Sequence, residues 1–135
     1  MVYRLPFASI TLIEDDIAEV VIDEGVELAM EEVEAYHEFL TTYLKAPFSL
    51  LINKKHSYSY TFEAQQNICD IKEIRAMAVV VNNVASELAT LTLSKINEHK
   101  EWNMLLFNNK ADAKDWLYGE QGYSLKEKTS AIALH

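Results

Sequence analysis

One cysteine, three glycines and two prolines among 135 residues close off several chemistries at once. Cys69 has no partner for an internal disulfide, no cysteine companion for a zinc site and no nameable activating neighbour, so it reads as a small apolar residue packed on a short helix. Three glycines are too few for a P-loop or a Rossmann fingerprint, which need several at fixed offsets. The four histidines show no HxxxH or HExxH spacing, and Asp15, Asp16 and Glu19 lack the alternating ligands and tight glycine turn of a calcium loop. No catalytic residue, metal or cofactor is therefore expected, and the chain does not read as an enzyme.

Positive charge is scarce as well. Twelve Lys and Arg stand against twenty-one Asp and Glu, a net charge of −9, which opposes association with nucleic acids and anionic membrane surfaces. No apolar run approaches the roughly 18 to 20 residues of a membrane span. Arg4 and Pro6 interrupt the stretch from Met1 to Ile10 where a signal peptide needs a continuous apolar core. The expectation is a cytoplasmic protein with no membrane insertion. No Gly/Pro/Ser-rich linker divides the chain, so one domain is expected.

What is present is an alternation of strands and helices. Ala8, Ile10 and Leu12 alternate with polar residues, Glu14, Asp15 and Asp16 interrupt, and Ala18, Val20 and Ile22 resume, which predicts a hairpin with a bulged or longer connection. After Gly25, the positions Val26, Met30, Val33, Leu40 and Leu44 trace one helical face that ends at Pro47. Phe48 to Asn53 predicts a short buried strand, and Thr61 can cap a helix reaching about Cys69. Ile74 to Val81 is taken as the central strand, because Met77 to Val81 within it is continuously apolar, as in a strand covered on both faces. Asn83 caps a helix expected to carry Val84, Leu88 and Leu91 inward. Trp102 to Phe107 forms the last strand, then Asn109 and Asp112 open a helix with Ala113, Trp116 and Leu117 on the sheet. These elements predict an α/β domain over residues 1–118, with a mixed, mostly parallel five-stranded sheet and about four packing helices. Residues 119–135 read as a C-terminal tail, mobile or docked.

The order strand-strand-helix followed by three strand-helix units resembles the STAS fold of bacterial anti-sigma-factor antagonists, the SpoIIAA-like fold, over about Phe7 to Tyr118. It is similar in particular to small stand-alone STAS-like bacterial proteins, through the hairpin and glycine from Ile17 to Gly25 and the Trp-Leu ending of the helix from Asn109 to Leu117. In regulatory STAS members a serine at the start of the helix after the third strand is phosphorylated and controls partner binding. The matching stretch, Asn53 to Phe62, offers Ser57, Ser59 and Thr61 without the family's adjacent Asp and Gly. Lys54 or Lys55 would favour a phosphate there.

Several residues carry two readings. Tyr58, Tyr60 and Phe62 alternate with Ser57, Ser59 and Thr61, so the aromatics form a protein-binding hot spot or line a pocket for a small apolar ligand. Alternatively Phe62 is core and the tyrosines shield the sheet end. Asn82 and Asn83 fall at the same carboxyl end of the sheet, where open α/β folds bind ligands. Eleven of the twenty-one acids lie between Glu14 and Glu38 with no Lys or Arg among them, either a docking field for a basic partner or a solvated helix face. His37 lies on the apolar face of the first helix and reads as a hydrogen-bonded core histidine. The function expected is a non-enzymatic STAS-like interaction or regulatory domain with an unidentified protein partner. Its candidate surface is Asn53, Tyr58, Tyr60, Asn82 and Asn83. The alternative is a carrier of a small apolar ligand, and a homodimer through the edge hairpin and the tail is also open.

Overall fold

The computed structural model describes residues 1–123, so the apolar end at Ala131 to Leu134 lies outside the described residues. Strands β1 (Val2–Leu5), β2 (Ala8–Glu14), β3 (Ile17–Ile22), β5 (Phe48–Asn53), β7 (Ile74–Val80) and β8 (Met104–Phe107) form one sheet in the order β1-β2-β3-β5-β7-β8. The first three are antiparallel neighbours, and β3, β5, β7 and β8 run parallel. The sheet is thus mixed and mostly parallel, with six strands among the described residues rather than five. The additional strand is β1, which pairs with β2 and displaces the hairpin from the sheet edge. The β2-β3 register slips between Leu12 and Glu14, the bulge anticipated where acids replace the alternating pattern.

Helices α1 (Met30–Tyr43), α2 (Phe62–Asn67) and α3 (Val84–Ile96) lie over one face, and α4 (Lys110–Glu120) covers the other. Period-two alternation explains the division. Ala18, Val20, Leu50 and Met77 point to the three-helix side, while Ile17, Leu51, Ala76, Ala78 and Val80 point to Ala113 and Leu117 of α4. Met77 to Val81 are all buried, as a strand sandwiched between helical layers requires. β7 is flanked by β5 and β8 and so sits one strand from the edge.

The helix starts follow local hydrogen-bond chemistry. Thr61 Oγ1 accepts from the Ala64 amide at 3.1 Å, Asn83 Oδ1 from Ser86 at 2.8 Å and Asn109 Oδ1 from Asp112 at 2.9 Å. In α1 the Ala29 amide donates to Glu32 Oε1 at 3.0 Å. Helix α4 runs on to Glu120, past residue 118, and Gln121 and Tyr123 then bond to the Asp16 carboxylate.

α3 lies the other way round from the sequence expectation. Val84, Leu88 and Leu91 are 69%, 58% and 48% exposed, while Thr90, Leu93 and Asn97 are buried. The inward face is partly polar, and most of its polar groups find partners, although Asn97 Oδ1 has none among the described residues. Thr90 Oγ1 donates to the Ser86 carbonyl at 2.9 Å, and Asn97 Nδ2 donates to the carbonyls of Leu93 at 3.0 Å and Gln65 at 3.1 Å. The Gln65 bond ties α3 to α2. Phe62 likewise is 68% exposed rather than core.

Candidate functional site

The carboxyl ends of β5 and β7 lie side by side, since Asn53 pairs with Val80 and the Lys54 amide donates to the Val80 carbonyl at 3.0 Å. From there the chain folds back over the three-helix side. The Gly25 amide donates to the Ser57 carbonyl at 2.7 Å, with Gly25 at φ +79°, a conformation that favours glycine. β6 (Ser59–Tyr60) then pairs in parallel with β4 (Glu27–Leu28). This small ladder turns what reads as a loop into a fixed flap beside the main sheet.

The sequence-predicted residues divide between two faces. Asn53 points toward α4, where its Nδ2 donates to Glu19 Oε2 at 2.9 Å while Lys110 Nζ reaches Glu19 Oε1 at 3.0 Å. Tyr58 and Tyr60 are half-buried on the opposite face and pack against the main core, their rings edge to face at 5.6 Å. Asn82 and Asn83 are exposed, and the Asn83 side chain is engaged as the cap of α3.

The three hydroxyl positions also differ. Ser57 is exposed, and its amide donates to Glu24 Oε2 at 2.7 Å, so a phosphate there would stand beside a carboxylate. Ser59 is exposed within β6. The Thr61 hydroxyl is held as the cap of α2.

Lys54 enters the sequence reading only as a cation that would favour a phosphate, and nothing there points to its burial. It is only 6% exposed. Its Nζ lies 4.7 Å from the Tyr58 ring centre and 5.4 Å from that of Tyr60, and donates to Tyr60 Oη at 3.3 Å. Burial, followed by the neighbouring Tyr58, holds the Tyr60 phenol well above its ordinary range, and burial does the same to Tyr36. These groups border an apolar interior cavity of about 30 Å³ between the sheet and the three helices, walled by Leu28, Ile68, Met77 and Leu93. Lys54 and Tyr58 also line an outer cleft of about 180 Å³ with Ser57, Asn83 and Ser86. They form the wall between cleft and cavity.

Cys69 borders the cavity as well, and burial pushes its thiol up to about 12. At neutral pH it stays a protonated, unreactive thiol. His37 is half-buried with Nε2 2.8 Å from the Ile68 carbonyl, as a structural histidine should be. Among the described residues no cluster of His, Cys, Asp or Glu could hold a metal ion, and no helix is long and apolar enough to cross a membrane.

No family model and no curated protein matches the chain. A solved structure does: the crystal structure of an uncharacterized DUF3478 family protein with a SpoIIAA-like fold from Shewanella loihica PV-4. It is 22% identical and superposes with a TM-score of 0.56 over 87% of this chain and 98% of that one. The chain has the SpoIIAA-like fold.

Proposed function

We propose that this chain is a non-enzymatic, cytoplasmic, STAS-like interaction domain that binds a protein partner across the carboxyl edge of its sheet and the outer face of α3. One observation carries the reading. Val84, Leu88 and Leu91 recur at helical spacing on the side of α3 opposite Thr90 and Leu93, and all three face water beside the exposed Asn82 and Asn83. A contiguous apolar stripe on a helix, rimmed by polar groups, is the surface that a helix-binding groove covers. Asn82 and Asn83, which belong to the candidate surface read from sequence, are exposed beside the stripe. Tyr58 and Tyr60 support the flap behind it.

The test is capture of partners from the native host with the unaltered chain and with Leu88→Ser/Leu91→Ser. Both leucines are solvent-facing, so the variant should keep its melting temperature and lose the captured protein. Equal capture by both chains rejects the surface. A second reading, a carrier of a small apolar ligand, is favoured by the interior cavity beneath α3. Native mass spectrometry of the gently purified chain, showing bound mass or none, tests it.

A further inference from the structure

We infer that Lys54 receives the carboxylate of a small apolar acid whose hydrocarbon part occupies the interior cavity. This rests on the ligand-carrying reading and names the chemistry of the ligand. An ammonium has three donors. In Lys54, 94% removed from solvent by its 6% exposure, one donor meets the Tyr60 phenol at a long 3.3 Å and the ammonium lies 4.7 Å from the centre of the Tyr58 ring. Among the described residues no carboxylate lies within ion-pair distance of it. A buried cation without a counter-charge is a costly arrangement, and an anion arriving from the cleft relieves it. Tyr60 Oη, kept protonated by its burial, stands beside Lys54 as a second donor.

The size and polarity of the site narrow the ligand. A cavity of about 30 Å³ exceeds the ~10–15 Å³ that one water needs, so it takes a hydrocarbon end of two or three heavy atoms. Its lining is mostly apolar: Leu28, Ile68, Met77 and Leu93 offer that end no polar partner, and the Thr90 hydroxyl that also lines it is already engaged with the Ser86 carbonyl. One ammonium compensates one negative charge. Inorganic phosphate, carrying up to two charges and no apolar part, would leave charge uncompensated inside and the cavity unfilled. A short monocarboxylate such as butyrate fits both ends, with the carboxylate at the wall between cleft and cavity and the alkyl chain inside.

The experiment titrates the intact, methyl-labelled chain with butyrate, with its neutral isostere butyramide and with phosphate, following the Met77 and Leu93 methyl resonances. Butyrate should shift both saturably and bind at least tenfold more tightly than butyramide, and Lys54→Met should bring it to the butyramide level. If Lys54→Met does not fold, the acid-to-amide ratio on the unaltered chain decides alone. Equal binding of acid and amide overturns the role of Lys54 while leaving the apolar-carrier reading in place. Saturable binding by neither overturns both, and phosphate displacing butyrate at equal concentration overturns the monocarboxylate assignment.

Discussion

Leu91 and Leu93 stand two residues apart on α3, and the fold assigns them opposite fates. Leu93 is 3% exposed and borders the interior cavity, whereas Leu91 is 48% exposed. Truncating a buried leucine removes its transfer free energy and leaves a void, and here the void would merge with a cavity that is already present. Leu93→Ala should therefore cost about 2–3 kcal/mol. For a domain of this size each kcal/mol lowers the melting temperature by about 3–5 °C, so a drop of about 6–15 °C follows. Leu91→Ala loses little burial, and alanine is the better helix former, so its effect should stay within about 0.5 kcal/mol. Urea unfolding of the two variants, with equal m-values confirming comparable unfolding, measures the contrast. If Leu91→Ala costs as much as Leu93→Ala, α3 is turned the other way and the exposed stripe does not exist.

Further outcomes follow from the same contacts. Thr61→Ala removes the cap of α2 and should cost about 1 kcal/mol, with faster hydrogen exchange at the Ala64 amide. Tyr60→Ala should destabilise by about 2 kcal/mol, because the ring packs on the core and on Lys54 rather than standing free. Cys69 should resist a thiol reagent at pH 8 until denaturant is added, since its thiol titrates only near 12. The side-chain bond from Arg4 holds the Asp23 carboxyl below its ordinary range. A depressed folded value means that the pair stabilises above the usual carboxylate range and that this contribution fades as pH falls through the lowered value. Carboxylate NMR titration should show Asp23 returning to the ordinary range in Arg4→Met.

Much of the fold was legible because it is locally determined. The caps at Thr61, Asn83 and Asn109 need only a side-chain oxygen three residues before an amide, and each was read from sequence and is present. The uninterrupted apolarity from Met77 to Val81 can be satisfied only by cover on both faces. Strand β1 was missed because its four residues are too few to display a period. The face of α3 was misread for a different reason. Val84-Leu88-Leu91 and Ser86-Thr90-Leu93-Asn97 share helical spacing, and the first set is the more apolar. The choice falls to the second through the bond from Asn97 to the Gln65 carbonyl, thirty-two residues away. A flap built by pairing β4 with β6 is equally non-local. For the same reason nothing in the Lys-Lys-His run announces that Lys54 turns inward while Lys55 stays in water.

Hydrogen exchange of the chain, free and bound to its captured partner, is the most direct test of the interaction surface. Slowed exchange should be confined to residues 82–93, at the carboxyl edge and along α3. Protection that instead falls on β1 or α1, with residues 82–93 unchanged, contradicts the assignment.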